Sequence, residues 1–71
     1  MAMQQEDWER RYVEHFATRV LAACDGDAVT AREWAQSDLG AAGYGELVEG
    51  YEGDPEGAAE ESLSYYEADE V

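Results

Sequence analysis

Residues 4–24 read QQEDWERRYVEHFATRVLAAC, and the spacing of their apolar side chains indicates how the chain begins to fold. These side chains recur at steps of three and four residues, which places them on one face of a helix that turns by about 100° per residue. The members of the apolar face are Trp8, Tyr12, Phe16, Val20 and Ala23. The opposite face is polar and contains Asp7, Arg11, Glu14, His15 and Thr18. We therefore predict an amphipathic helix from Gln4 to Cys24, with Asp7 and Arg11 spaced for an ion pair along it.

A second helix is predicted to begin at Thr30, because Glu33 stands three residues later and can complete a capping box. Its apolar face consists of Ala31, Trp34, Ala35 and Leu39. A glycine in a helix interior costs about 1 kcal/mol. We therefore expect a break between Gly40 and Gly45, followed by a short helix to about Tyr51.

The last helix is predicted to begin at Asp54-Pro55, which offers an N-cap and a first-turn proline, and to end near Asp69. Its buried strip is predicted to contain Ala59, Ser62, Leu63 and Tyr66. No segment alternates with a period of two residues, so we expect no sheet. The sequence thus predicts an all-α fold of three to four short helices, forming a single acidic helical domain over residues 1–71. The predicted core consists of Trp8, Phe16, Trp34, Leu39, Leu47 and Leu63.

The composition excludes several classes of functional site. The chain has 71 residues, and a domain below about 80 residues has a small core unless a disulfide or a metal supports it. One cysteine and one histidine cannot form an internal disulfide or supply the ligands of a zinc site. The acidic segments do not match the calcium-binding EF-hand loop. We find no catalytic constellation, and we expect no enzyme activity, no cofactor and no metal.

Charge restricts the partners of the protein. It carries 18 acidic residues, four arginines and no lysine, with a formal net charge of −14. Such a chain repels phosphate, so we expect it to bind neither nucleic acid nor an anionic membrane directly. The sequence shows no signal peptide and no apolar run of about 18 residues, which predicts a cytoplasmic protein.

The negative charge is concentrated after Cys24, where 14 acidic residues accompany a single arginine. Many of these carboxylates are three or four residues apart, a spacing that brings side chains within about 5–6 Å of one another on a helix. One strand of B-DNA places a phosphate every ~3.4 Å, so such rows can imitate a phosphate backbone. We therefore predict a basic nucleic-acid-binding protein or complex as the partner. The predicted partner-binding residues are Glu46, Glu49, Glu52, Asp54, Glu56, Glu60, Glu61 and Glu67.

The small, helical, lysine-free and acidic profile resembles that of phage and mobile-element inhibitors that imitate DNA. Within that group it is most similar to the small acidic anti-CRISPR proteins directed at type I systems. The resemblance covers the whole chain through its size, charge and helix pattern. It implies a monomer or small homo-oligomer in the host bacterial cytoplasm. It also implies docking on Cas proteins, so that the type I surveillance complex (Cascade) cannot bind DNA.

Alternative functions remain open from the sequence. Glu61-Ser62-Leu63 is similar to the Glu-Ser-aliphatic element of inhibitors of uracil-DNA glycosylase, and a restriction enzyme is a further target class. The chain also fits an antitoxin-like module that holds a basic protein through Tyr51, Tyr65 and Tyr66. An acidic surface that serves only solubility needs a net charge of about 2–8, well below the charge found here. An halophilic origin also accounts for the acidity and for the absence of lysine.

Overall fold

The first helix forms where the apolar periodicity predicts it. The computed structural model describes residues 3–68, with side chains through Tyr65. Helix α1 spans Gln5–Val20, and Trp8, Tyr12 and Phe16 on its apolar face are fully buried. Within the described residues there is no strand, so the all-α prediction is confirmed.

The end of α1 differs from the prediction. The helix ends at Val20, and a single 3₁₀ turn follows at Ala22–Cys24. Because a 3₁₀ turn holds three residues instead of 3.6, the predicted helical register does not continue through this turn. Ala23 is accordingly exposed, and its predicted place on the buried face is wrong. Asp25, with φ of 58°, and Gly26, with φ of 78°, then reverse the chain.

Helix α2 spans Ala28–Ala42 and is capped by Asp27, so the predicted start at Thr30 is wrong. Asp27 Oδ1 accepts hydrogen bonds from the backbone N–H groups of Val29 and Thr30, at 3.0 and 3.3 Å. The Thr30 hydroxyl donates to Asp27 Oδ2 at 2.8 Å. Asp27 prevails because it alone has the extended backbone of an N-cap, whereas Thr30 already lies in the first helical turn.

The predicted break between Gly40 and Gly45 is confirmed and occurs at Gly43. This residue has φ of 87° and separates α2 from helix α3, Tyr44–Leu47. Helix α3 is a single turn, so the predicted continuation to Tyr51 is wrong. The chain leaves the helix through residues 48–54, where Gly50 has φ of 85°, a value that glycine adopts readily.

Helix α4 spans Pro55–Ala68 and begins as predicted. The Gly57 N–H donates to Asp54 Oδ1 at 3.0 Å, which is the expected capping bond. Ala59 and Leu63 are buried as predicted, and Ala58 joins them, while Ser62 is half-buried. The side chain of Tyr66 lies outside the described residues.

Helix α1 is the centre of the fold, because both α2 and α4 pack against it. The Tyr12 hydroxyl lies 2.7 Å from Asp38 Oδ2 on α2 and 2.9 Å from Ser62 Oγ on α4. Since a phenol has one proton, it donates to the carboxylate and accepts from the serine. The three long helices are therefore joined at one buried phenol.

Only three of the six side chains predicted to form the core are buried. Trp8, Phe16 and Leu63 are buried, but Trp34, Leu39 and Leu47 are half-buried and pack against the core from its edge. Small side chains on α2 and α4 complete the interior, where both helices pack against the large side chains of α1. The remaining buried hydrophobic residues are Tyr12, Val13, Val20, Ala31, Ala35, Ala58 and Ala59.

Candidate partner-binding surface

The first part of the surface is an ion pair between α1 and α4. Arg11 Nε donates to Glu56 Oε2 and Arg11 Nη2 donates to Glu56 Oε1, each at 2.9 Å. This two-bond arrangement is the strongest geometry available to arginine and a carboxylate. The hydrogen bonds from Arg11 lower the pKa of Glu56 below its ordinary value of 4.5. Arg11 thus binds across 45 residues of sequence instead of pairing with Asp7, which bonds Arg10.

A second cluster lies one helical turn further along the same two helices. His15 Nε2 is 2.6 Å from Glu60 Oε2, and Arg19 Nη1 donates to the same oxygen. Hydrogen bonding to His15, and then to Arg19, lowers the pKa of Glu60. The side chains of all three residues are partly exposed, so solvent screens the cluster.

These contacts divide the predicted partner-binding residues into two groups. Glu56 and Glu60 face the cations of α1, and the charge there is locally balanced. This pairing was not predicted from the sequence, although one pattern in the sequence indicates it. Arg11, His15 and Arg19 repeat every four residues on one side of α1, and so do Glu56 and Glu60 on α4. Two stripes of opposite charge with the same period are suited to facing each other.

The second group surrounds a cleft between α3 and α4, with a volume of about 370 Å³. We call it the α3–α4 cleft. It is lined mainly by Glu46, Leu47, Glu49, Tyr51, Glu61 and Tyr65. None of its lining residues is cationic. The structure thus brings together three of the predicted carboxylates, Glu46, Glu49 and Glu61, without an internal counter-ion among the residues around them.

Tyr51 fixes one side of the cleft. Its hydroxyl donates to Glu61 Oε2 at 2.5 Å, and this bond raises the pKa of Tyr51. Its carbonyl accepts a hydrogen bond from Trp8 Nε1 at 2.7 Å. Because Trp8 is fully buried, the Trp8 bond ties the loop before α4 to the core. Glu61 is therefore oriented by a residue that the core itself holds.

The remaining predicted residues lie beside the cleft or outside the described side chains. Glu52 Oε2 accepts from the backbone N–H of Gly50 at 3.4 Å, and Asp54 caps α4. Both are exposed, so they extend the acidic surface while they shape the turn. Glu67 lies on α4, but its side chain is outside the described residues.

Tyr65 contributes the most exposed aromatic side chain of the described residues and lines the same cleft. Its exposed fraction is 67%, which equals that of Val29. Tyrosine is enriched among the residues that carry binding energy in protein interfaces. Ser62 and Leu63 offer no such surface, because Ser62 bonds Tyr12 and Leu63 is buried. The tripeptide Glu61-Ser62-Leu63 therefore exposes mainly its glutamate.

The described residues contain no group of three or more side chains suited to holding a metal ion. No helix in residues 3–68 is both long and apolar enough to cross a bilayer. Cys24 is half-buried and packs against the edge of the core. No family model, curated protein or solved structure matches this chain.

Proposed function

We propose that this protein is a non-enzymatic inhibitor that imitates a nucleic-acid phosphate backbone and occupies the basic groove of a host-defence protein. The observation that carries the proposal is the separation of paired from unpaired carboxylates. Glu56 and Glu60 form ion pairs with arginines of α1, whereas Glu46, Glu49 and Glu61 line a cleft that has no cationic residue in its lining. The unpaired group is available to lysine and arginine side chains of a partner.

Electrostatics explains how such a surface competes with nucleic acid. A basic groove that binds DNA releases the counter-ions condensed on the phosphates, and its affinity falls steeply as salt rises. Carboxylates held in a fixed array engage the same cations without providing a substrate. The longest dimension of the protein is 37 Å, close to one turn of B-DNA, so one molecule can cover a groove of that length.

The favoured target is the type I CRISPR surveillance complex, Cascade, and its Cas proteins. This choice follows from the resemblance in size, acidity and helical pattern to anti-CRISPR proteins of phage. Such an inhibitor acts in the cytoplasm of the host bacterial cell. The buried Leu63 and the engaged Ser62 make uracil-DNA glycosylase a less suitable target, and a restriction enzyme remains the second nuclease class to test.

The test compares two triple charge reversals. One variant carries Glu46→Lys, Glu49→Lys and Glu61→Lys in the cleft. Its control carries Glu6→Lys, Glu14→Lys and Glu33→Lys, which change the net charge equally at exposed positions on α1 and α2. Inhibition of DNA binding by purified Cascade is measured for both variants after circular dichroism has established that each is folded.

We expect the cleft variant to lose inhibition by about tenfold or more, and the control to lose much less, since close charge pairs carry interface affinity. Inhibition by the unchanged protein should also weaken between about 50 and 200 mM salt. Equal losses in both variants would show that net charge alone matters. Full inhibition by the cleft variant would reject the proposal.

A second candidate function, the antitoxin-like module, is favoured by the exposed ring of Tyr65. In that case aromatic contacts hold the complex, and charge mainly sets the association rate. Tyr65→Ala should then raise the dissociation rate from the partner, while the cleft charge reversal should lower the association rate. For the phosphate-imitating inhibitor, Tyr65→Ala should have the smaller effect of the two.

A further inference from the structure

The α3–α4 cleft combines two features that recognise different parts of one ligand. Its lining includes the aromatic residues Tyr51 and Tyr65 and the apolar Leu47, and its carboxylates are Glu46, Glu49 and Glu61. A planar cation satisfies both, because it stacks on an aromatic ring and donates hydrogen bonds to carboxylates at its edge. The combination therefore distinguishes this cleft from the other acidic parts of the surface.

The chain itself supplies no suitable occupant for the cleft. Three of its arginines bond acidic residues elsewhere, namely Arg10 with Asp7, Arg11 with Glu56 and Arg19 with Glu60. Arg32 lies beside clefts between α1 and α2. The terminal residues after Ala68 add two more carboxylates, and a second copy would bring another net charge of −14. Charge complementarity therefore requires a cation from a different molecule.

Building on the proposed function, we propose that the α3–α4 cleft receives an arginine side chain of the partner protein. The guanidinium stacks on the exposed ring of Tyr65 and donates to the surrounding carboxylates. Glu61 is prepared for this contact, because the Tyr51 hydroxyl binds Oε2 and holds the carboxylate in place. The volume of about 370 Å³ leaves room for the side chain and for water around it.

Arginine fits the cleft better than lysine for reasons of shape and hydration. A guanidinium is planar, more weakly hydrated than an ammonium group and able to form two parallel hydrogen bonds with one carboxylate. The Arg11–Glu56 pair displays this two-bond geometry within the same protein. An ammonium group has the charge but lacks the plane that stacks on Tyr65.

The experiment titrates the isotopically labelled 71-residue chain with N-acetyl-arginine amide and follows it by NMR. N-acetyl-citrulline amide, a neutral molecule of nearly the same shape, is the matched probe. We expect the arginine probe to shift the signals of Glu46, Glu49, Glu61 and Tyr65 in a saturable manner, and the citrulline probe to leave them in place. Equal shifts from both probes would overturn the proposal. So would shifts spread equally over Glu6, Glu14 and Glu33.

Three variants separate stacking from charge. Tyr65→Ala should weaken binding of the arginine probe by about two- to fivefold, the size of an exposed cation–π contact. N-acetyl-lysine amide should bind more weakly than arginine and lose little further in this variant. Glu61→Gln should also weaken the arginine probe, whereas Glu33→Gln on α2 should not. Equal effects of Glu61→Gln and Glu33→Gln would reject the cleft as the site.

Failure of the arginine site and failure of the proposed inhibitory function give different results. If the probe saturates the cleft but the triple cleft reversal still inhibits Cascade fully, the arginine site stands and the inhibitory role fails. If that reversal abolishes inhibition but the probe does not select the cleft, the inhibitory surface stands and the arginine site fails.

Discussion

Gly57 lies close to both the residue that caps α4 and a residue that lines the α3–α4 cleft. Its backbone N–H donates to Asp54 Oδ1, and a Cβ at this position would overlap the other carboxylate oxygen of Asp54. The same Cβ would lie 3.2 Å from Cδ1 of Tyr51, which is tighter than an ordinary van der Waals contact. A side chain here therefore disturbs both the helix cap and the tyrosine that orients Glu61.

We accordingly predict opposite results for two glycine-to-alanine substitutions. Gly40 lies in the interior of α2, and a Cβ added there would meet no atom within 4 Å outside the adjacent helix backbone, so Gly40→Ala should stabilise the protein by about 0.5–1 kcal/mol through helix propensity. Gly57→Ala should give no gain or a loss, because losing an N-cap costs about 1 kcal/mol. Urea unfolding of both variants measures the difference. A gain at Gly57 equal to that at Gly40 would contradict the packing around Gly57.

At the scale of elements, α1 and α4 are held together by matched stripes of charge. Arg11 pairs with Glu56, and His15 with Arg19 pairs with Glu60. Each contact is partly exposed, so each contributes little alone, and the arginine pair with two bonds contributes most. The stripes also favour registers in which the repeat of four residues on α1 lies opposite the repeat on α4.

These pairs predict a pH-dependent contribution to stability. Folding lowers the pKa of both Glu56 and Glu60, so the folded state favours their ionised form. Their stabilising contribution is therefore present above their ordinary pKa of 4.5 and is lost as the pH falls through the lowered values. We expect Glu56→Gln with Glu60→Gln to reduce the free energy of unfolding by about 1 kcal/mol at pH 7 and to have no effect at strongly acidic pH.

The control for this measurement is Glu14→Gln with Glu33→Gln, which removes the same charge from exposed positions. It is needed because protonation of the other carboxylates relieves repulsion and acts in the opposite direction. Denaturant unfolding across the acidic range gives the difference between the two variants at each pH. A difference that persists below the lowered pKa values, or that is absent at pH 7, would contradict the role of these pairs.

At the scale of the whole molecule, stability and the proposed function oppose each other. A net charge of −14 acts on a chain of 71 residues with a small core, and the repulsion weakens the folded state. The cleft contributes to this repulsion, because Glu46, Glu49 and Glu61 line it together and none of its lining residues is cationic. A partner that supplies cations relieves the repulsion, so binding and stabilisation of the fold are coupled.

Salt should therefore stabilise the isolated protein. Raising sodium chloride from about 20 to 200 mM shortens the Debye length and screens the acidic surface. We expect the melting temperature to rise by about 4–8 °C, as 1 kcal/mol produces in a domain of this size. Glu46→Gln with Glu49→Gln and Glu61→Gln should raise the melting temperature at low salt and reduce its salt dependence. Differential scanning calorimetry measures both, and a salt-independent melting temperature would contradict the repulsion.

Local sequence patterns determined the parts of the structure that depend on nearby residues. The four-residue spacing of Trp8, Tyr12 and Phe16 was sufficient to predict α1, since the apolar face of a helix follows from periodicity. Asp54 and Pro55 identified the start of α4 because capping acts within one turn. At Thr30 the same reasoning failed, because Asp27 offers a competing cap three residues earlier.

Only the tertiary structure decided which carboxylates are paired and which remain for a partner. Glu56 and Glu61 are alike in the sequence, yet one faces Arg11 and the other lines the α3–α4 cleft. Their difference arises because helix packing brings together residues separated by 45 positions, and no local rule specifies that contact. The amount of charge is therefore a property of the sequence, whereas its division between internal pairs and an open acidic cleft is a property of the fold.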